Sequence, residues 1–587
     1  MRSEAFFLLF FFAFPLHAAL TSPAITGRVI AGDAPAAGVT VTVSSDVLMH
    51  PRTTVTGPRG TYFLNALPPG VYDVTFSRAG MTTLTRRAVV ELGRVARADA
   101  RLEPSADEES VTSTATQTSV ADTTAITSHF DDATLDRFPG RDYALVIAPD
   151  AGYPTATEID EPQPFATSVL PEDLIEQVTV VRAAVPVEWE SYGGRLQLLR
   201  TRSGREQFFL SLRDTVSHDA WNDRGPFDAR DGLQNLFEAY GGGRIVPQRL
   251  WFFASLWDGD DATRFTRGLR GGQVKLHAQL GAAHHLDATY LTGENGIGPL
   301  LRAETWTASL RYTGAFGPRY TTETAVSRNS AAVSFPPQPG VPPSLDSRNR
   351  TDFLSSRASY VLGDHVLTAG LGAWSSAGFD SQSFYAGDRW SAARFVVNAG
   401  VRYDDDELQP RIAATYDLRG DGTRAISASW GEYAFGPFAA SPLRIATLGY
   451  AAAIGSSGTA RVDVIRRDDS HSLQLDTRYR LFDRFEAGAT YTYARNGDAS
   501  QQANAWIGAQ LPLGAHEFGV TLLQRYYDFY DPAPGLNGPG TAAPTDLALR
   551  YAVPFSRLGL MLAIDAANVL GDDAAPRTVR FWTRVRL

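Results

Sequence analysis

The chain has 587 residues, of which 44% are hydrophobic, 20% charged and 11% aromatic. It is therefore long enough for several domains and too apolar for general disorder. Its formal net charge of −10 argues against nucleic acid as a partner. The absence of cysteine excludes disulfides, cysteine zinc sites, iron–sulfur clusters and thiol nucleophiles.

Residues 1–19 have the pattern of a secretory signal peptide. Arg2 supplies a basic start, Ala5–Leu16 is an apolar run, and Ala18 and Ala19 are the small residues expected near a cleavage site. The apolar run is shorter than the roughly 20 residues that span a bilayer. We therefore predict export, with an uncleaved anchor as the alternative.

Residues 24–103 predict a small β-sandwich. Short alternating runs, separated by Gly- and Pro-rich turns, occur at Ile25–Ile30, Val39–Ser44, Thr61–Asn65 and Val71–Ser77. The segments "ITGRV", "APAAGVTVTV" and "TVTGPRGTYFLNALPPGVYDVTFSRAG" resemble the carboxypeptidase-regulatory-like domain. This resemblance implies a non-catalytic module, without protease activity.

A linker and a small mixed unit follow this sandwich. Residues 104–128 are rich in Ser, Thr, Ala, Asp and Glu, which is linker composition. Residues 129–204 form a small α+β unit in our interpretation. It contains helix-like pieces at Asp131–Leu135 and Arg141–Ile147 and strands at Ile175–Val181 and Gly194–Thr201.

From residue 205 to residue 587, apolar and polar positions alternate in stretches of about ten residues. For example, Leu473, Leu475, Thr477 and Tyr479 face one way, and Gln474, Asp476, Arg478 and Arg480 face the other. The connections between stretches alternate between short and longer segments. Such repetition predicts an antiparallel transmembrane β-barrel of about 22 strands, in a chain that is all-β apart from the small α+β unit.

Three segments carry a wider resemblance. "LIEQVTVVRAAVPVEWESYGGRLQLLRTRSG" resembles the end of a plug domain, "YGGGRIVPQRLWFFASLWDG" an early barrel hairpin and "AIDAANVLGDDAAPRTVRFWTRVRL" the last strand pair. In this order they resemble a TonB-dependent receptor that carries an N-terminal carboxypeptidase-regulatory-like domain. The resemblance implies a plug at 129–204, reduced in length, inside an outer-membrane barrel at 205–587.

The same resemblance implies a site for a TonB-type periplasmic energy-coupling protein. The candidate TonB box comprises Glu108, Glu109, Ser110, Val111, Thr112, Ser113, Thr114 and Ala115. An extended segment before the plug can add as a strand to a partner's sheet. The alternative is an ordinary linker between two domains.

Two further sets of charged residues are candidate sites. The inward arginines of the predicted barrel either line a polar lumen in a general way or contact plug carboxylates; they are Arg478, Arg480, Arg580, Arg584 and Arg586. An outer turn holds four acids whose oxygens suit calcium, namely Asp404, Asp405, Asp406 and Glu407. A solvated acidic turn is the alternative to a metal site there.

The sequence predicts a transporter and no bond chemistry. Neither a Ser-His-Asp order nor a paired-carboxylate motif is evident, so we expect neither an enzyme nor a cofactor. The leading hypothesis is TonB-dependent uptake of a scarce small ligand, with outer-membrane lipid around the barrel and the N-terminal domain in the periplasm. The alternatives are a plug-reduced barrel that acts as a passive channel, adhesin or structural protein, and a soluble secreted β-protein.

Overall fold

The structure is a computed structural model. It describes residues 24–32, 34–45, 48, 51–64, 67, 70–90, 95–104, 111–116, 120–121, 124–139, 156–160, 170–189, 196–222, 232–261, 266–281, 283–297, 301–317, 319–334, 347–376, 379–392, 394–433, 442–455, 458–468, 470–481, 484–496, 498–529, 540–555, 558–571 and 577–587. The predicted signal peptide and the predicted helix at Arg141–Ile147 lie outside these ranges.

The N-terminal unit is a β-sandwich of two five-stranded sheets. The first contains β1 (Ala24–Ala31), β2 (Ala34–Pro35), β5 (Thr61–Leu64), β8 (Val95–Arg97) and β9 (Ala100–Leu102); the second contains β3 (Thr40–Ser44), β4 (Arg52–Val55), β6 (Gly70–Ser77), β7 (Leu84–Val90) and β10 (Val111–Thr116). The Tyr62 and Phe76 rings meet edge to face in the core, at 5.6 Å between centroids. The buried Tyr62 hydroxyl donates to the Ala98 carbonyl at 2.6 Å. The predicted sandwich is confirmed.

The second unit is a four-stranded mixed sheet with one short helix. The strands lie in the order β11 (Ile126–Asp131), β13 (Ile175–Ala183), β14 (Leu196–Thr201) and β12 (Ala156–Ile159), and α1 (Asp132–Leu135) follows β11. Asp131 caps α1, because its side chain accepts a hydrogen bond from the Thr134 amide at 2.8 Å. The predicted strands and the first predicted helix are confirmed. Within the described ranges, no helix is long and apolar enough to cross a membrane.

The third unit is a closed antiparallel barrel of 22 strands. Its elements are β15 (Phe209–His218), β16 (Leu233–Val246), β17 (Leu250–Asp261), β18 (Thr266–Gly281), β19 (His284–Ile297), β20 (Leu301–Phe316), β21 (Tyr320–Ser334), β22 (Ser347–Leu362), β23 (His365–Ser376), β24 (Phe379–Ala392), β25 (Phe395–Asp404), β26 (Glu407–Asp417), β27 (Arg424–Tyr433), β28 (Leu443–Ile454), β29 (Gly458–Arg467), β30 (Ser470–Leu481), β31 (Phe485–Asn496), β32 (Asp498–Leu513), β33 (His516–Phe529), β34 (Gly540–Ala542), β35 (Thr545–Phe555), β36 (Leu558–Ala567) and β37 (Thr578–Arg586). The short β34 and β35 both pair with β33, so they count as one strand.

The barrel closes where β15 pairs with β37. We call this pair the closing seam. Along it, directly opposed residues run from Ser211 with Arg586 to Ser217 with Arg580. With β34 and β35 counted as one strand, every other pair of neighbouring barrel strands is consecutive in the chain.

Alternation along the strands separates an apolar exterior from a polar lumen. On β30, Leu473 is 39% exposed on the outside, whereas Gln474 is 1% exposed on the inside. On β37, Phe581 is exposed on the outside, and Trp582 is buried on the inside. Because the exposed large side chains are apolar, this exterior suits lipid. On these two strands the alternation of burial follows the predicted period of two.

Candidate functional site

The interface between the four-stranded unit and the barrel lumen is the candidate functional site. The four-stranded unit lies inside the barrel and acts as a plug, because its side chains contact lumen-facing residues on several sides of the wall. The contacts fall into four groups, at the closing seam, on β30–β31, on β18 and on β24–β27.

At the closing seam, plug carboxylates bind a buried barrel arginine. Arg584 on β37 donates from Nη1 to both carboxylate oxygens of Asp136 at 2.9 Å. Its Nη2 also donates to Asp173. Arg584 and Asp173 are 1% and 0% exposed, so water contributes little to their solvation. A buried charge in such a place depends on its partners.

A second arginine lies directly across the seam from the first. Arg213 on β15 is the register partner of Arg584. Its guanidinium lies 3.6 Å from Glu238 and 4.0 Å from Asp173. Both guanidinium groups also lie over the indole ring of Trp582, at 4.5 Å for Arg213 and 4.9 Å for Arg584. The ring faces thus add cation–π attraction to the ion contacts.

Further ion pairs extend this cluster. Arg580 donates to Glu172 of the plug at 3.0 Å, and the half-exposed Arg586 lies 3.8 Å from both Asp132 and Asp136. Within the plug, Arg202 donates to both carboxylate oxygens of Asp132, at 2.9 and 2.5 Å. The seam therefore concentrates charged groups of both units.

A second group of contacts involves β30 and β31. Arg478 lies over the Phe130 ring at 4.2 Å and donates to the His129 carbonyl at 2.6 Å. The neighbouring Asp476 accepts hydrogen bonds from Ser128 at 2.9 Å and Arg182 at 3.3 Å. These contacts fix β11 and β13 against the wall.

Arg480 is linked to the plug through an acid of the barrel wall. It lies 3.8 Å from Glu486, which also pairs with Arg137 of the plug. All five predicted arginines therefore face inward. Arg580, Arg584 and Arg586 contact plug carboxylates, and Arg478 contacts a plug carbonyl and ring.

The third group of contacts centres on Asp160, at the end of β12. Its carboxylate lies 2.9 Å from the Lys275 ammonium and accepts from the Thr201 amide at 2.8 Å and from Gln273 at 3.2 Å. Burial alone raises the pKa of Asp160, but the Lys275 charge and the Thr201 hydrogen bonds outweigh it, so the pKa lies below the usual value. Asp160 is therefore ionised at neutral pH.

The fourth group, on β24–β27, consists of apolar packing and hydrogen bonds to plug carbonyls. The plug turn that follows β13 lies against Gly387 and Gly400, which are register partners on β24 and β25. A Cβ added to either glycine would lie 3.0 or 2.9 Å from the Val187 side chain. Arg411 holds the same turn by donating to the Pro186 carbonyl at 2.7 Å and the Trp189 carbonyl at 2.9 Å.

A shallow cleft with room for water-sized groups of about 30 Å³ lies beside this turn. Glu188 lines it, and burial raises the pKa of this carboxyl above its usual value despite nearby arginines. The opposite wall includes Asn398 and Tyr433. Clefts also lie at the seam, lined by Glu172, Arg213 and Arg580, and beside Asp136 and Arg550.

The candidate TonB box falls partly outside the described residues, which omit Glu108, Glu109 and Ser110. Val111–Ala115 lie in β10, which pairs in parallel with β7 and forms the edge of the second sheet of the N-terminal sandwich. Val111 is opposite Leu84, and Thr112 is opposite Thr85. In this structure the segment is therefore an extra strand on the second sheet of the N-terminal sandwich.

The acidic turn connects β25 and β26. Asp405 and Asp406 have φ values of 44° and 75°, as the two-residue turn of a hairpin requires. Asp404 accepts from Arg402 and from Gln409, each at 2.7 Å, and Asp406 accepts from Tyr403 at 2.7 Å. Across the described residues, no group of three or more His, Asp or Glu side chains is arranged to hold a metal ion.

Sequence reasoning missed most of the groups that hold the plug. Asp136 and Asp173 sit in short segments that carry no motif, and Arg213 and Arg411 resemble any other inward arginine. The one available signal was Trp582, a large ring between inward arginines on the last strand.

Comparison with known proteins identifies the N-terminal domain and the fold. Residues 24–103 match the family model of the carboxypeptidase regulatory-like domain. No curated protein matches the sequence.

Solved structures of outer-membrane receptors are similar to most of the chain. The siderophore receptor PirA from Acinetobacter baumannii has a TM-score of 0.63 at 10% identity, covering 80% of this chain and 99% of that one. PirA from Pseudomonas aeruginosa has a TM-score of 0.62 at 13% identity, covering 78% and 99%. The alcaligin receptor FauA from Bordetella pertussis has a TM-score of 0.61 at 13% identity, covering 80% and 96%. The chain therefore has the fold of a plugged, multi-pass outer-membrane β-barrel.

Proposed function

We propose that this protein takes up a scarce small ligand across the outer membrane, using energy supplied by a TonB-type periplasmic partner. It does no bond chemistry. The observation that carries the proposal is a plug bound to the lumen wall on several sides. Ligand passage through such a barrel requires the plug contacts to be rearranged.

The strength of those contacts argues for an energised step. Separating Arg584 from Asp136 and Asp173 leaves buried charges unpaired, at a cost of about 3–5 kcal/mol for such a pair. Thermal motion alone would rarely supply this for several pairs at once. A pulling partner supplies it by mechanical work on the chain that precedes the plug.

Glu108–Ala115 is the proposed attachment point for that partner. Its described part, Val111–Ala115, already pairs as a strand with a sheet edge, in β10 against β7. Strand addition depends on backbone groups, so another sheet edge can take the place of β7. The periplasmic position of the N-terminal domain belongs to the same proposal.

Ferric siderophores are the first ligand class to test. The two PirA proteins, whose folds are similar, are siderophore receptors, and FauA is a receptor for alcaligin. Iron complexes of this kind fit the description of a scarce ligand. The test is the growth of cells with and without this protein under iron limitation, with single siderophores as the iron source. A growth advantage that requires the protein would support this ligand class.

The test of energy coupling is a proline in β10. Val111→Pro removes a backbone donor and fixes φ, so strand addition to the partner should fail. Val111→Thr is the matched control, because it keeps the amide and a β-branched side chain. At equal protein levels, the proline variant should bind ligand at the surface and lose its accumulation, and the threonine variant should retain both. Equal accumulation in the two variants would count against the box.

Conductance separates uptake from passive diffusion. Purified protein in planar bilayers should show little steady current, because the plug contacts the lumen wall on several sides. A large steady conductance in the unmodified protein would favour the passive-channel alternative and contradict energised transport.

A further inference from the structure

Three basic side chains lie side by side on the exterior of the barrel, across β29, β30 and β31. Arg466 is the register partner of His471, and His471 is the register partner of Arg495. All three are exposed. Neighbouring strands are about 4.8 Å apart, so the three backbones span about 10 Å. We call these three residues the basic row.

The protein itself does not neutralise the basic row. Among the described residues, no carboxylate pairs with Arg466 or Arg495, and the Arg466 side chain donates to the Asp468 carbonyl at 3.2 Å. By contrast, the nearby Arg444 pairs with Glu432 at 3.0 Å. Two guanidinium groups this close repel each other, and an anion between them would remove the repulsion.

The basic row lies where the apolar exterior ends. The next outward positions on the three strands are Val464, Leu473 and Tyr493, which are register partners of one another. Val464 and Leu473 are 48% and 39% exposed. From Leu481 to His471, β30 rises about 33 Å along the strand, or about 25 Å along the barrel axis at a tilt of about 40°. This rise equals the height of the lipid-facing band of such barrels, about 25 Å, so the row lies at a membrane interface.

The row lies at the end of the barrel away from the N-terminal sandwich. Strand direction alternates along the barrel, so β30 begins at the end opposite to Phe209, where β15 begins. The turn between β22 and β23 is at the Phe209 end, and a Cβ added to Gly363 in this turn would lie 3.0 Å from the Arg59 guanidinium of the sandwich. With the sandwich in the periplasm, as proposed above, the basic row faces the outer leaflet.

We propose that the basic row binds the phosphate groups of a lipid in the outer leaflet. Guanidinium groups donate paired hydrogen bonds to phosphate oxygens, and His471 adds a ring N–H donor. The acyl chains of the same lipid extend along Val464, Leu473 and Tyr493. This apolar surface continues directly from the row, so a lipid fits it better than a free phosphate ion. The site is independent of which ligand is transported and of whether transport is energised.

The test is lipid binding by the purified full-length protein in detergent, measured by native mass spectrometry. The probe is lipid A, an outer-leaflet glycolipid that carries phosphate groups, and the matched control lipid is the same molecule with its phosphates removed. Arg466→Gln with Arg495→Gln removes both positive charges. Arg466→Lys with Arg495→Lys keeps them. Folding of each variant is checked by its migration in unheated gel samples.

Arg270→Gln is the matched control variant. Arg270 is exposed at the same end of the barrel, on β18, and its Nε lies 2.7 Å from the Asp258 carboxylate on β17. The protein therefore already supplies the counter-charge of this arginine. Its replacement removes a surface charge of the same kind without touching the basic row.

The unmodified protein should bind lipid A more strongly than the dephosphorylated lipid. The glutamine pair should reduce this preference roughly tenfold, because each arginine near the leaflet surface attracts anionic lipid. The lysine pair should keep most of the preference, and Arg270→Gln should keep all of it.

Equal binding of the two lipids by the unmodified protein would overturn the proposal. An unchanged preference in the folded glutamine pair would do the same. A loss in Arg270→Gln as large as that in the glutamine pair would show a general effect of surface charge and would also contradict the site. A lysine pair as weak as the glutamine pair would exclude charge as the cause.

Discussion

The plug is held differently at the closing seam and at β24–β27. At the seam, Arg584 is bound by two buried plug carboxylates. At β24–β27, Val187 packs against two glycines, and Arg411 donates to plug carbonyls. The first contact joins full opposite charges, and the second joins apolar surface and neutral acceptors.

This difference indicates which side of the plug yields first. Breaking a buried ion pair leaves unpaired charges, whereas withdrawing the turn exposes a small apolar area and breaks hydrogen bonds from Arg411 to neutral carbonyls, which cost less. A force on the plug therefore meets less resistance at β24–β27. We expect a ligand path to open on that side while the seam stays occupied.

The largest expected effect breaks the seam contact. Arg584→Ala should weaken plug docking by about 3–5 kcal/mol, because Asp136 and Asp173 lose their partner. Arg411→Ala, the counterpart at β24–β27, should cost about 1.5–3 kcal/mol as hydrogen bonds from a charged donor are lost. Hydrogen exchange of the β13 amides in the solubilised protein measures both. Equal loss of protection would remove the asymmetry.

The second prediction tests which residues of the barrel wall face lipid and which face the lumen. Leu475→Arg places a charge on the lipid face and should destabilise the barrel by about 2–4 kcal/mol near the bilayer centre. Gln474→Arg places it in the lumen and should be tolerated far better. The measurement is the fraction of protein that migrates as folded barrel when the gel samples are not heated. Similar losses for both would show that the faces are wrongly assigned.

Much of this wall could be predicted from sequence. Alternation depends on nearest neighbours along a strand, so the exposed Leu473 and the buried Gln474 follow from a period of two. The partner of Arg584 could not be predicted in the same way. Asp136 lies 448 positions away, and a single sequence gives no distance between such residues.

The third prediction concerns the weaker side. Gly400→Ala places a methyl group 2.6 Å from the Ala386 carbonyl oxygen and 2.9 Å from the Val187 side chain. Overpacking of this kind costs about 1–3 kcal/mol. Protease cleavage of the plug turn should become faster. Gly559→Ala is the control, since nothing lies within 4 Å of its added Cβ, and it should cleave as wild type does.

The smallest expected effect is the pH dependence of the Asp160–Lys275 contact, which belongs neither to the closing seam nor to β24–β27. Because the folded-state pKa of Asp160 is lowered, its contribution is complete above the usual carboxyl value of 3.8 and is lost as pH falls through the folded-state value. Asp160→Asn should therefore reduce the hydrogen-exchange protection of the β12 amides at pH 7. It should also make the further loss of that protection in acid smaller than in the unmodified protein. An unchanged acid profile would contradict the assignment.

The pairing of β10 with β7 sets a threshold for any competing strand. A partner that recognises 111–116 in extended form binds the released fraction of molecules, so its apparent affinity is the intrinsic affinity scaled by that fraction. A segment released one-hundredth of the time binds about 100-fold more weakly. If the proposed partner binds 111–116, the stability of the β10–β7 pairing would set how much of the protein it occupies.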